Sequence, residues 1–243
     1  MTGRLLIVIA TYNEVDSLPT LVCQLMKALP GAKILVIDDN SPDGTGGWCD
    51  EEAERNRQFQ VIHRAGKLGL GTATILGLQR AIDGSFDLVA TLDADLSHDA
   101  VSLQAMVQMI QSSTNDQYGV VIGSRYVRGG KIHGWPWYRR LSSFLVNQYA
   151  RLVLRLPTRD NTSAMRVYRT SELANADLDL LKAPGYAYLE EILLLLKYNG
   201  VQFAEYPIIF RNREIGASKV NAIELTSSLY EILKLSFRSF KPS

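Results

Sequence analysis

Short apolar runs that stop at acidic turns, each followed by a helix-patterned segment, constrain this chain more than any other feature. Residues 5–10 (LLIVIA) are apolar without interruption, as a strand covered on both faces requires. Asp16-Ser17 then opens a helical stretch with Leu18, Leu21, Leu25 and Leu29 at helical spacing, closed by Pro30-Gly31. The alternation repeats. Strands are expected at 34–37, 59–62, 87–92 and 118–122, and helices after Gly44, at 69–81 and at 98–112. This pattern implies an α/β fold, a mostly parallel sheet with right-handed crossovers and flanking helices. Functional residues should gather where strands end at their carboxyl edge. The later half is less regular, with helices expected at 141–156, 186–198 and 221–240, the last amphipathic, and strands at 164–168 and 201–209.

At 243 residues and 47% hydrophobic, the chain can bury a full core, and no repeat, low-complexity segment or flexible linker divides it. Its net charge of +1 conceals an asymmetry. Residues 1–119 hold 8 Lys/Arg against 15 Asp/Glu, a balance of −7, whereas 120–243 hold 18 against 10, a balance of +8. An acidic half that can hold a cation thus meets a basic half that can hold anions. Nucleic acid is not the expected anion, because the basic stretch lacks any helix-turn-helix, zinc-finger or RNP-like pattern. Cys23 and Cys49 supply neither a disulfide framework nor metal-ligand spacing, which fits a reducing compartment. The early strand-like segment leaves no signal-peptide pattern, and no apolar run reaches the roughly 18 residues of a membrane-spanning helix.

Three carboxylate-bearing turns follow strand ends: Thr11-Tyr12-Asn13-Glu14, Asp38-Asp39 and Asp93-Ala94-Asp95. A parallel sheet would bring them side by side. Two carboxylates one residue apart suit a Mg2+ or Mn2+ ion shared with a substrate diphosphate, since such ions take one or two carboxylates and fill their shell with phosphate oxygens and water. The G-x-G-x-x-G fingerprint and the Walker lysine motif are both absent, which disfavours dinucleotide and P-loop chemistry. A nucleotide held by the first two turns, with its diphosphate on a metal at the third, fits better.

The segments ATYNE, VIDDNSPDGT, GKLGLGTA, LDADLSH, GSRYVRGG, DNTSAMRVYR and FRNREIGASK, in that order, resemble family 2 glycosyltransferases of the GT-A (Rossmann-like) fold. Within these, the match is to dolichol- or polyprenol-phosphate mannosyltransferases. The resemblance implies transfer of mannose from GDP-mannose to a polyprenyl (dolichyl) phosphate, with inversion and with Mg2+ or Mn2+. It also implies a single domain over 1–243, with a nucleotide- and metal-binding half (1–123) and an acceptor-binding half (124–243). Polyprenyl-phosphate glucosyl transfer from UDP-glucose is the alternative within this chemistry; a non-catalytic nucleotide-binding homologue is the alternative outside it.

Carried over position by position, Ala10, Tyr12 and Glu14, with Ile37 and Asp39, would line the guanosine pocket. Asp93 and Asp95 would hold the metal, Ala94 would lie against the donor, and Ser97 would reach the cation through water. Arg125, Arg139 and Ser143 match positions that receive the acceptor phosphate. Arg213 and Lys219 match a loop that closes on the donor diphosphate. Asp95, Arg125, Arg213 and Lys219 are the expected catalytic set. Ala10 stands where the family usually has proline, and Ala164-Met165 where it has glycine-phenylalanine. Asp38 is read as structural, Lys67 as a possible donor contact, Asp160 and Arg166 as a structural pair, and Glu191 as architectural. No histidine is assigned as a base.

The acceptor lipid is insoluble, so peripheral contact with the cytosolic face of a membrane is expected. The basic stretch, Trp135-Pro136-Trp137-Tyr138 and one or two amphipathic helices would provide it. Some members of the family use small membrane subunits for anchorage, which makes such a partner a further expectation.

Overall fold

The computed structural model describes residues 3–112, 117–183, 185–212, 222–238 and 240. In chain order the first half runs β1 (Leu5–Thr11), α1 (Leu18–Ala28), β2 (Lys33–Asp38), α2 (Thr45–Arg55), β3 (Phe59–His63), α3 (Leu70–Asp83), β4 (Leu88–Thr91), α4 (Ala100–Ser112) and β5 (Val120–Ser124). The second half continues with β6 (Lys131–His133), α5 (Trp137–Val153), β7 (Arg166–Arg169), α6 (Thr170–Ala174), α7 (Tyr188–Tyr198), β8 (Phe203–Pro207), β9 (Ile209–Arg211) and α8 (Ala222–Ser236).

Seven strands form one sheet in the order β3-β2-β1-β4-β7-β5-β8, and β6 pairs with β9 in a small parallel ladder. The pairs β1–β2, β1–β4, β2–β3 and β5–β8 are parallel. β7 is the exception, running antiparallel between β4 and β5. Strands from both sequence halves therefore share a single ladder.

Strand periodicity divides the core in two. Leu6, Val8, Leu35, Ile37, Val89, Val120 and Ile122 face a layer that includes residues of α3, α5, α7 and α8. Their neighbours Leu5, Ile7, Ile9, Ile34, Val36, Leu88, Ala90 and Val121 face residues of α1 and α4. Burial on both faces is why these strands read as uninterrupted apolar runs. The close approach of α3 to the sheet requires Gly77, where an added Cβ would lie 2.2 Å from Val8 Cγ1.

Most boundaries shift by a few residues from those expected, and two shifts have a local cause. α5 starts at Trp137 rather than 141, directly after Pro136, whose φ of −65° suits a helix start. The strand expected at 201–209 is cut in two. β8 ends at Pro207, which has no N–H for a ladder, and the chain then crosses to the small ladder as β9. Glu191, fully buried, accepts hydrogen bonds from the Lys182 and Ala183 amides and pairs with Arg238, tying the segment after α8 to the loop before α7.

Candidate active site

The carboxyl ends of β2, β1 and β4 lie side by side, so the three acidic turns share one edge. The first two turns are stitched together. The Asp39 amide donates to Thr11 O at 3.0 Å, the Asn13 amide to Ser41 Oγ at 3.0 Å, and the Glu14 amide to Thr45 Oγ1 at 3.0 Å. Asn13 and Asn40 both have positive φ, a conformation asparagine tolerates better than most residues. Asp38 is buried and accepts from the Ser41 amide and hydroxyl, which gives it a structural role in the turn. Glu14 accepts from Ser17 Oγ at 2.8 Å.

Asp39 is committed to an ion pair with Arg64 and also accepts from the Gly69 amide at 2.9 Å. Arg64 spans to Gly69 O at 2.8 Å and Thr72 Oγ1 at 2.7 Å, so it fastens the start of α3 to the second turn. Gly69, at φ +99°, occupies a conformation that side-chain-bearing residues avoid. Lys67 Nζ lies 4.1 Å above the Tyr12 ring, a cation–π contact at the rim of the same edge. Ile37 has no exposed surface and packs in the core, so it supports the pocket from below and presents no side-chain surface to a nucleotide.

The third turn is tighter. Leu96 takes a φ of +60°, and the Ser97 amide donates to Asp95 Oδ1 at 3.0 Å. Asp95, Ala94 and Ser97 are buried, while the Asp93 side chain keeps 27% of its exposure. His98 is buried beneath them, with Nδ1 3.8 Å from Asp93 Oδ2. Burial pushes its pKa down to about 4 against the opposing pull of Asp95, so the ring is neutral near pH 7. The Arg211 amide donates to Ser97 O at 3.1 Å, which docks the end of β9 onto this turn.

The basic half contributes a cluster built on aromatic rings. Arg125 is buried, with Nε and Nη2 each 2.7 Å from the two oxygens of Asp160 and Nη2 2.6 Å from Thr162 Oγ1. Its guanidinium also lies 5.4–5.6 Å from the rings of Tyr126, Trp135 and Phe210. Arg139 lies over Trp135 at 4.2 Å and donates to Asn212 Oδ1 at 3.3 Å. Ser143 Oγ accepts from the Tyr126 hydroxyl at 2.8 Å. Arg125, Arg139 and Ser143 thus converge on Trp135 and Tyr126. The rings continue from Trp135 to Phe210 and from Phe210 to His98, joining this cluster to the acidic turn.

Several expectations need correction. Asp160 pairs with Arg125 and not with Arg166; Arg166 is fully buried and donates to the carbonyls of Asn161, Ser163 and Leu189. Trp135 packs internally, whereas Trp137 and Tyr138 are 75% and 60% exposed, so the aromatic run divides between core and surface. Arg213 and Lys219 lie outside the described residues. The reading from sequence also missed Arg64, His98 and the structural use of Trp135. Arg64 was findable as the first residue beyond β3 on the same edge, and His98 as the last residue of LDADLSH.

The family model described as Glycosyl transferase family 2 matches residues 6–174, from β1 through α6. The chain belongs to glycosyl transferase family 2. The matched span of this glycosyltransferase includes all three acidic turns and the Arg125–Arg139–Ser143 cluster. The chain is 37% identical over 218 residues to the undecaprenyl-phosphate mannosyltransferase of Micrococcus luteus, covering 90% of this chain and 88% of that one. It is 34% identical over 238 residues to the polyprenol monophosphomannose synthase of Mycolicibacterium smegmatis, covering 98% and 88%. In fold it is similar to the glucosyl-3-phosphoglycerate synthase of Mycobacterium tuberculosis, solved with Mn2+ and UDP (TM-score 0.66, 16% identity, 96% of this chain and 78% of that one). It is also similar to a mannosyltransferase of Pyrobaculum calidifontis solved with GDP-Man and Mn2+ (TM-score 0.59, 13% identity, 97% and 73%). These likenesses place the enzyme among GT-A glycosyltransferases.

Proposed function

We propose that this glycosyltransferase moves mannose from GDP-mannose to a polyprenyl phosphate, inverting the anomeric carbon, on the cytosolic face of a membrane. The observation that carries the reading is the wall of rings His98–Phe210–Trp135, which sets the acidic turn beside the arginine cluster. A diphosphate seated at Asp93 and Asp95 and an anionic acceptor seated at Arg139 and Ser143 would meet along it. The names of the two curated relatives support the choice of mannose and of a polyprenyl acceptor.

The residues present fit a hard divalent cation. Asp93 and Asp95 offer carboxylate oxygens, and the buried Ser97 Oγ has no hydrogen-bond partner among the described residues. Among the described residues no three His, Cys, Asp or Glu side chains converge, so Mg2+ or Mn2+ held there would draw further ligands from the diphosphate and water. When bound, such an ion neutralises charge developing on the leaving diphosphate. Tyr12, Glu14 and the Asp39–Arg64 pair would hold and shape the nucleoside end, with Ala10 and Ala94 close to the donor. Arg213 and Lys219 would approach the diphosphate.

In the chemical step an acceptor phosphate oxygen bonds to the anomeric carbon while the bond from that carbon to the diphosphate oxygen breaks. The nucleophile is already anionic at neutral pH, because a phosphate monoester has a second pKa of about 6. It needs orientation more than deprotonation, and the arginine fork suits that task. Arg125 is held by Asp160 and shares the Trp135 and Tyr126 rings with Arg139 and Ser143, so it would act chiefly by keeping that cluster in place.

Among the described residues no helix is long and apolar enough to cross a membrane. α5 nevertheless exposes Trp137, Tyr138, Leu141, Phe144 and Leu145, and the end of α8 with the residue after it exposes Tyr230, Leu233 and Phe237. With Arg140 and Arg151 on α5, this apolar and basic surface suits peripheral contact with anionic headgroups. The deciding experiment offers the purified protein GDP-mannose, UDP-glucose and other nucleotide sugars with farnesyl phosphate and Mn2+ or Mg2+. Product from GDP-mannose is expected. Product from UDP-glucose alone would replace mannose, and no product from any donor would reject the reading.

A further inference from the structure

Trp135 carries a buried hydrogen-bond donor that no described residue accepts. The side chain is 8% exposed, and its indole N–H has no hydrogen-bond partner among the described residues. A buried donor left unsatisfied costs on the order of 1–3 kcal/mol, and most buried polar groups avoid that state. The ring is meanwhile fixed firmly: edge-to-face on Phe210 at 5.1 Å, under Arg139 at 4.2 Å, with Arg140 Nε donating to the Trp135 carbonyl at 3.1 Å. Packing therefore explains the ring but not the N–H.

Along the same wall, Ser97 Oγ also has no hydrogen-bond partner among the described residues, and His98 Nδ1 has only the 3.8 Å approach of Asp93 Oδ2. Phe210 links them to Trp135, since it contacts His98 at 5.3 Å on one side and the indole on the other. Polar capacity thus remains between the acidic turn and the arginine cluster, where a ligand rich in oxygen would satisfy it. An indole N–H only donates, so its partner must be an acceptor. With Arg139 and Arg125 both on the ring, the acceptor that fits is an anionic oxygen.

We propose that the Trp135 indole N–H is a substrate-positioning donor that binds a phosphate oxygen, reached when the partly exposed Arg139 side chain swings from the ring. This inference rests on the glycosyltransferase reading above and adds a named contact to it. The phosphate can belong to the lipid acceptor or to the diphosphate of the donor, and the two sources separate by experiment.

Trp135→Phe keeps an aromatic ring and removes the N–H. Its melting temperature should fall little, because deleting an unsatisfied donor offsets part of the packing lost with the smaller ring. With farnesyl phosphate varied at saturating GDP-mannose, a KM raised about tenfold, the loss of roughly one hydrogen bond, assigns the N–H to the acceptor. The same rise with GDP-mannose varied, together with weaker GDP binding by calorimetry in Mn2+, assigns it to the donor. Unchanged KM values, or equal losses in every parameter with a lowered melting temperature, would overturn the proposal. A second readout is independent of turnover. The chain has three tryptophans, and the indole 1H–15N signal that disappears in Trp135→Phe should move downfield when farnesyl phosphate or GDP with Mg2+ is added to the parent protein. A signal that stays in place with both ligands would also overturn the proposal. A parent protein that shifts this signal but transfers no sugar would leave the contact standing and reject the assigned reaction instead.

Discussion

Asp160 grips Arg125 through both carboxylate oxygens, at 2.7 Å each, and also accepts the Arg125 backbone N–H at 2.8 Å. Both side chains are buried, and the pair is closed around by Thr162 and three aromatic rings. Removing one partner of such a pair leaves a desolvated charge. Asp160→Ala should therefore destabilise the protein by about 3–5 kcal/mol in denaturant titration. A loss under about 1 kcal/mol would mean that water reaches Arg125 and that the surrounding rings do not seal it.

Asp95 combines a structural bond with its expected metal role, since Oδ1 accepts the Ser97 amide. Asp95→Asn preserves that acceptor and removes the charge. Melting temperature should change little, while the transfer rate should fall by about 100-fold or more, the scale of losing a major electrostatic contribution to the transition state. Chelation of divalent ions should reduce the parent enzyme comparably. A variant with near-parental turnover would refute the role assigned to Asp95.

Arg139 is partly exposed and sits on the Trp135 ring. Arg139→Ala should raise the KM for farnesyl phosphate at least tenfold, about 1.4 kcal/mol, with GDP affinity almost intact. Calorimetry with GDP and Mn2+ checks the second half of the statement. A large loss of GDP affinity would move Arg139 to the donor side.

Glu190 gives the stability a pH dependence. Burial pushes its pKa up from the usual 4.5 to about 7, beside a small cavity lined by Val146, Thr162, Tyr186 and Ile232. Below pH 4.5 both folded and unfolded chains carry the proton, so nothing is lost. As pH rises to about 7 the unfolded carboxyl ionises first, and stability falls by about 3 kcal/mol before levelling off. His98 has the opposite slope over much of this window, because its folded pKa is lowered to about 4. Comparing Glu190→Gln with the parent isolates the first effect. The stability of the variant relative to the parent should grow from pH 5 to pH 7.5, and a difference independent of pH would contradict the burial of an ionisable Glu190.

The regular part of the architecture was legible because local chemistry repeats there. β1, β2 and β4 are covered on both faces, and their apolar runs say so in any window of five or six residues. β7 was not legible as antiparallel, since a strand's direction in a sheet is set by the path of its connections and by its tertiary pairing, not by its own residues. β6 and β9 carried little signal because three residues cannot show a period.

The candidate site divides in the same way. Asp93 and Asp95 stand one residue apart, so their shared turn was evident from the chain alone. The partners of Arg125 and Arg166 were not, because Asp160 is 35 residues from Arg125 and only burial decides which cation takes its charge. Sequence by itself determined the alternating fold, the acidic strand ends, the basic second half and the family motifs. Tertiary structure alone decided that Arg64 binds Asp39, that Arg125 belongs to Asp160, and that Trp135 turns inward while Trp137 faces out. Local patterns follow from neighbours a few residues away; desolvation and pairing depend on groups that only the folded chain brings together.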